Sequence, residues 1–440
     1  DAFNTAVGYS AGGNMSTAIR NTVIGGLAGG AITTGADNTF LGYNAGGSAT
    51  IGNSNVAIGQ GALETNVAAD KNVAVGYGSL RVATKATTAD TYNTAVGYNS
   101  GREVTSGEAN TILGALAGDA ITTGNHNIAI GYQALSAEDA GQRSVAIGGF
   151  SLSSQNVDGL NYNVAVGYGA GTAVTTGVEN TLIGGLAGDA LTTGVRNTVV
   201  GYAALSQEDA HGTNVAIGYA ALSVQNAGAD AFNTAVGYQA GIAVTTAVQN
   251  TLIGSVAGQA VTTGANNTAL GHQALKANTI GNANVAIGKN AMLTNVAGDT
   301  NVAVGYDSLR VMTSATTADT YNTAVGHSSG LALTSGKFNT LIGGLSMGSG
   351  VTTGDDNVAI GYRSGYDLTS ATLNTLVGNY SGANITSAIN NTALGYNTLT
   401  SNVVGDNNTA LGYRALEDFV ADTDGHGGNT AVGSSSMSNL

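Results

Sequence analysis

The chain returns again and again to one short alternation of polar and apolar positions. An Asn is followed by Thr or an aliphatic residue, by a small or larger apolar residue, by Val, Ile or Leu, and then by Gly. Asn4-Thr5-Ala6-Val7-Gly8 and Asn214-Val215-Ala216-Ile217-Gly218 are two of 25 copies. Numbering each unit from its Asn, position 1 is Asn in 24 of the 25, Ser144 being the exception. Position 4 is aliphatic and position 5 is Gly in all 25. Short β-branched runs bounded by Gly and Asn read as strands. Helical periodicity is absent, and a Gly in every unit weakens any helix. Most copies are 17 residues apart, too short for helical-hairpin repeats, which need roughly 30 or more. The pattern therefore predicts an all-β chain: a parallel β-solenoid or β-roll of about 25 coils, one unit to a coil. Coils stacked at about 4.8 Å would make a rod on the order of 120 Å long. Where the spacing lengthens to 18, 19 or 21 residues, as from Asn72 to Asn93, the excess (Thr84 to Thr91, for example) reads as a loop extruded from one corner.

Each column then receives an expected role. Position 4 is expected to fill the coil's own core and the following Gly to turn the chain, as in Val7-Gly8, Ile130-Gly131, Ile217-Gly218, Ile253-Gly254 and Val432-Gly433. Burying each such aliphatic side chain is worth roughly 1.5–3 kcal/mol. The leading Asn residues (Asn4, Asn21, Asn38, Asn214, Asn284) are expected to ladder their amides between coils. Position 3 is also apolar throughout: Ala in 17 units and a larger residue in the others, including Val23, Ile112, Leu182, Leu252 and Leu341. A strand apolar on both faces is normally buried on both. Position 3 is therefore expected to face neighbouring chains, most simply in a homotrimer. Position 6 is Tyr in 13 units. In seven others it is small or polar, and position 7 becomes apolar instead (Leu27, Leu116, Phe150, Leu186, Val256, Leu345, Tyr380).

Composition sharpens this picture. Pro is absent from the 440 residues, as expected where nearly every backbone N–H serves a ladder. Charged residues make up 9%, against about 25% in ordinary globular domains. The net charge of −14 argues against nucleic acid and anionic membrane surfaces as partners. No run of about 18 apolar residues offers a membrane span. Cys is absent, so no disulfide framework exists. The whole of 1–440 reads as one continuous array. A longer repeat lies above the coil: 1–229 is partly duplicated in 230–440, with Asp1 to Tyr9 recurring unchanged as Asp230 to Tyr238. A chain that starts inside a repeat reads as a piece of a longer fibre.

Candidate chemistry is sparse. His126, His211, His272, His327 and His426 are scattered, and two of them merely replace Tyr at position 6. Gly25-Gly26-Leu27-Ala28-Gly29-Gly30 lacks the strand-loop-helix setting of a dinucleotide loop. Asp422-Thr423-Asp424-Gly425 has the opening of a calcium loop without its closing Glu. Glu138-Asp139 and Glu208-Asp209 occupy matching corners and read as solubilising pairs. Thr-Thr-Gly corners do not run on continuously, as a flat ice-binding array requires. No catalytic, cofactor or metal residues are assigned, and no enzyme is expected.

Asn214-Val215-Ala216-Ile217-Gly218 and Asn284-Val285-Ala286-Ile287-Gly288 resemble the repeats of trimeric autotransporter adhesin heads. Asn233-Thr234-Ala235-Val236-Gly237-Tyr238-Gln239-Ala240 is similar to repeats of bacteriophage tail-fibre proteins, notably long fibres ending in a self-cleaving chaperone domain. The resemblance spans essentially the whole chain. It implies a left-handed parallel β-roll assembled as a trimer. The expected function is the structural shaft of an extracellular or virion fibre that attaches to a host surface through a glycan or protein. A bacterial adhesin head and, further off, a polysaccharide-acting solenoid enzyme are the alternatives.

Overall fold

The computed structural model describes residues 2–85, 87–313, 318–421 and 426–439. Among them no helix occurs: the chain is a parallel β-solenoid of about 25 turns with a period of about 17 residues. It divides into two compact units. One is Asp1–Ile217 with Gly228–Asp230, the other Gly218–Ala227 with Ala231–Leu440. Within each unit every coil contributes one three-residue strand at positions 2 to 4, paired in parallel and in register with the next. Thr5, Ala6 and Val7 face Thr22, Val23 and Ile24 in the first unit, and Thr234, Ala235 and Val236 face Thr251, Leu252 and Ile253 in the second. Within each unit the longer spacings leave this register intact. The 21-residue step from Asn72 to Asn93 is closed by a two-residue parallel pair, Ala69–Asp70 with Ala89–Asp90. Gly141–Gln142 with Gly159–Leu160 and Gly298–Asp299 with Ala318–Asp319 do the same elsewhere.

The alternation along each strand runs opposite to the expected sense. Position 3 points inward and position 4 outward. Val23, Ile112, Leu182, Leu252 and Leu341, expected between chains, are at most 1% exposed inside their own coils. Val7 and Val432, expected in the core, are 56% and 63% exposed, and Ile130, Ile217 and Ile253 are half-buried. The reason is parity. Side chains two apart on a strand share a face, and position 1, the laddering Asn, is buried (Asn21 0%, Asn214 0%, Asn284 0%). Position 3 must follow it inside.

The interior is narrow, and its volume is shared among positions 3, 9 and 12. Where position 3 is large, position 9 is generally Gly. At Gly118 an added Cβ would lie 2.8 Å from Ile121 Cδ1 and 3.4 Å from Ile112 Cδ1. Where position 3 is Ala, as in Ala57 and Ala129, a fully buried Leu commonly occupies position 9 (Leu63, Leu135). This exchange keeps the core at the close-packed density of protein interiors. The compensation visible in the sequence therefore belongs to the inside of the coil.

The Asn column is a hydrogen-bonded ladder. Asn4 Oδ1 accepts both the backbone N–H of Asn21 at 2.8 Å and its side-chain amide at 3.2 Å. Asn21 Oδ1 serves Asn38 at 2.9 and 3.0 Å, and Asn267 Oδ1 serves Asn284 at 3.0 and 3.2 Å. The Asn214 backbone N–H donates to Asn197 Oδ1 at 3.1 Å. Asn amides also donate to carbonyls across their own coil, Asn21 to Gly35 at 2.9 Å and Asn284 to Gly298 at 2.8 Å. Ser144 is too short for this, and Gln155 takes over. Its amide donates to Ser144 Oγ at 2.7 Å, and its Oε1 accepts from Asn163 at 2.8 Å.

The invariant Gly at position 5 is explained twice over. Gly114 has φ +135°, a region that side chains avoid. A Cβ there would also lie 2.5 Å from the carbonyl oxygen of Gly131 in the next coil. Gly114→Ala is expected to cost roughly 3 kcal/mol or more in unfolding free energy. Each repeat touches only its neighbours. The damage should therefore appear in hydrogen exchange as lost amide protection confined to the coils flanking residue 114.

Candidate functional site

With the inner face of the strands occupied by Asn and position 3, the outer face is formed by positions 2 and 4. Position 2 is Thr, Val or Ile and position 4 Val, Ile or Leu in every unit, with no charge at either. Position 4 is nowhere buried: Ile24, Leu41, Leu113, Ile183, Leu270 and Leu394 are 36–46% exposed. Two residues further on, the tyrosines of position 6 stand about half exposed, Tyr43 at 56% and Tyr132 at 50%. They stack along the coil direction. Tyr77 and Tyr98 have centroids 5.4 Å apart with planes at 12°, and Tyr219 and Tyr238 repeat this at 5.4 Å and 14°. Where position 7 carries the ring instead, the contact becomes edge-on: Phe150 meets Tyr132 at 5.3 Å and 82°, and Tyr168 at 5.8 Å and 83°. Offset and edge-to-face aromatic pairs add roughly 0.5–1.5 kcal/mol beyond area burial. Each unit thus carries an uncharged aliphatic and aromatic stripe, broken at position 6 by the single charge of Lys289.

Strand positions 2 and 4 carry no charge; Arg363 and Arg414 flank the tyrosines, 5.5 and 5.8 Å from the Tyr362 and Tyr413 ring centroids, and other charges pair at corners preceding an Asn. Arg20 pairs with Asp37 at 2.6 Å, Lys71 with Asp90 at 2.7 Å, and Arg196 with Glu179 at 2.9 Å. These are exposed pairs on successive coils, of the kind that contributes little to stability.

The other sequence candidates are absorbed by the coil. The amides of Gly25, Leu27 and Gly29 donate to Val7, Tyr9 and Ala45 carbonyls at 2.8, 2.8 and 2.9 Å, so the glycine-rich segment offers no open amide cradle. Thr hydroxyls at the Thr-Thr-Gly corners bond the next coil, Thr33 to Thr50 O and Thr175 to Thr192 O at 3.1 Å each. His126 and His272 are exposed, and His327 stacks on Tyr306 at 5.2 Å. Asp422-Thr423-Asp424-Gly425 lies outside the described residues. Among the described residues, no helix is long and apolar enough to cross a membrane.

Glu138 turns inward rather than solubilising its corner. It is fully buried. Its carboxylate accepts from the Gly141 N–H at 2.7 Å, Gln155 Nε2 at 2.8 Å and Asn161 Nδ2 at 3.1 Å. Burial raises its pKa above the ordinary carboxylate value, and these donors partly offset that. Sequence reading missed this because adjacent carboxylates read as a solvent corner when taken apart from their column, which is mostly aliphatic (Ile32, Ile121, Leu191). The signal was present: the same column holds Asn66, Asn278 and Asn402, all buried.

No family model matches the chain, and no curated protein matches it.

A raised folded pKa favours the protonated folded state. The stability that Glu138 contributes is therefore full below its unfolded pKa, about 4.5, and is lost as pH rises through the folded value. The melting temperature of Glu138→Gln minus that of the unsubstituted chain is expected to become more positive between pH 4 and pH 7. Parallel pH profiles of thermal melts read this difference directly.

Proposed function

We propose that the chain is the structural shaft of an extracellular fibre, a phage tail fibre in the first instance. In this reading it acts mechanically, as identical copies joined along the outward strand face, and presents the array to a host surface. The observation that carries this is the stripe itself. At roughly 25 cal/mol per Å², a Val, Leu or Ile side chain holds on the order of 60–120 Å² of apolar surface, and an aromatic roughly 150–250 Å². At the exposures seen for Leu41, Leu113, Tyr43 and Tyr132, one unit's stripe offers on the order of 1,000 Å². A standard stable interface needs roughly 800 Å² per partner.

The occupant is a second copy for two reasons. A matching partner has to present uncharged apolar residues at the same coil spacing, and the chain's own outward face does so. A chain of net charge −14 also approaches itself with least repulsion along a face almost free of charge. Three is the number implied by the resemblance to adhesin heads. The shaft reading needs no catalytic group.

Sedimentation of the intact chain is expected to give a trimer, and a stable monomer overturns the reading. The combined variant Ile24→Asp, Leu41→Asp and Ile58→Asp should dissociate the assembly while keeping its β circular dichroism, because these side chains leave the coil interior untouched. Val23→Asp, by contrast, should unfold its own coil, at the roughly 3 kcal/mol or more expected for an unpaired charge in a core.

A further inference from the structure

One corner of the first unit breaks the repeat in two columns at once. Eighteen units have the standard 17-residue spacing, and in seventeen of them position 15 is Gly or Ala. The remaining one has His211. Three residues earlier, at position 12, stands Glu208, whose column otherwise holds apolar residues or neutral amides apart from Glu138. Between them lies Asp209.

These three side chains converge. One donor atom from each of Glu208, Asp209 and His211 can be chosen so that all lie within 4.8 Å of one another. Glu208 is fully buried, the His211 side chain is 26% exposed, and Asp209 is exposed, so the group is anchored at its base and open to solvent at its mouth. His211 Nδ1 stands 3.3 Å from Glu208 Oε1. That is long for a charge-assisted hydrogen bond, which runs about 2.7–2.9 Å. It matches the edge between two ligands of a tetrahedral ion with bonds of about 2.0–2.1 Å, namely about 3.3 Å.

The corner at Glu138 shows what the histidine changes. There position 15 is Gly141, and a Cβ on it would fall 2.5 Å from Glu138 Oε1. His211 carries that Cβ, and Glu208 Oε1 stands 3.3 Å from both the His211 N–H nitrogen and Nδ1, where Glu138 Oε1 accepts the Gly141 N–H at 2.7 Å. The backbone beneath is fixed: Thr192 donates to the Asp209 carbonyl through its N–H at 2.5 Å and its hydroxyl at 2.7 Å. A further carboxylate, Asp230, accepts the Gly212 N–H at 3.0 Å, adding negative charge beside the site.

We propose that Glu208, Asp209 and His211 bind one divalent transition-metal ion, with solvent completing its coordination. One imidazole and two carboxylates form a set suited to zinc and its neighbours rather than to calcium, which takes six to eight oxygen ligands. This inference stands apart from the shaft reading, since the corner lies off the outward strand face.

The test is calorimetric titration of metal-stripped full chain with zinc chloride, and separately with calcium chloride. One zinc site per chain is expected, with much weaker calcium binding. His211→Ala and Glu208→Asn should each weaken zinc binding at least roughly tenfold, the lower end of what losing even an outer-shell partner costs. Both variants are expected to fold, because Ala stands at position 15 in Ala18 and Ala247, and Asn at position 12 in Asn66 and Asn278. Circular dichroism checks this. Absence of zinc binding, or binding of equal strength in His211→Ala, overturns the proposal.

Discussion

Every column of this fold answers to one constraint: successive coils must lie close enough for backbone to bond backbone at strand spacing. The hydrogen bonds run coil to coil around much of the perimeter, from Thr5 N to Asn21 O at 2.8 Å through Gly12 N to Ala28 O at 3.0 Å. A coil cannot drift without breaking several of these at once. The close approach excludes a side chain at position 5, where glycines sit against glycine carbonyls. It favours a chain with no Pro, since few N–H groups can be spared. It also sets the Asn ladder, because one carboxamide can reach the next coil and its own far corner only at this separation.

A thin coil held so tightly has little interior, and this decides which residues go where. The buried face of each strand accepts Ala almost indefinitely and a Leu, Ile, Val or Phe generally where the opposite side gives way. Branched aliphatics at position 4 are left outside, where they repeat without interruption within a unit. The exposed stripe follows from the narrow core, and the self-association proposed for it would supply the second hydrophobic layer that one coil cannot build. Isolated polar corners such as Glu138 and Gln155 then stand out as internal fittings, each satisfying groups that the regular ladder leaves open.

The repeat made the architecture legible: period, strand position, the turning Gly and the laddering Asn all follow from residues that hardly vary. The direction in which the strand faces was harder to read. An always-aliphatic column such as Val7 to Val432 looks like a core, and a column of Ala looks like a surface. Size alone points that way, and the correct answer needed the parity linking Ala6 or Val23 to the buried Asn before it. The chemistry of corners was less legible still. Glu208 and His211 are three residues apart in a stretch of ordinary composition. Their meeting depends on a tight corner in which one residue carries a Cβ and its counterpart in most other coils does not.

The extruded corners carry a practical consequence. At Ala69–Asp70 with Ala89–Asp90, and at Gly298–Asp299 with Ala318–Asp319, a parallel two-residue clasp joins successive coils at the longer corner, and the strand ladder continues in register. The cost of closing such a loop grows only slowly with its length. The clasped corner is therefore a ready-made graft point: a foreign peptide spliced just ahead of the second half of the clasp, before Ala89 for example, would be displayed from a coil whose register is held on both sides. Within one compact unit, the clasps at Ala69–Asp70 with Ala89–Asp90 and at Gly141–Gln142 with Gly159–Leu160 would space two such peptides in whole-coil steps, turning the repeat into a molecular ruler.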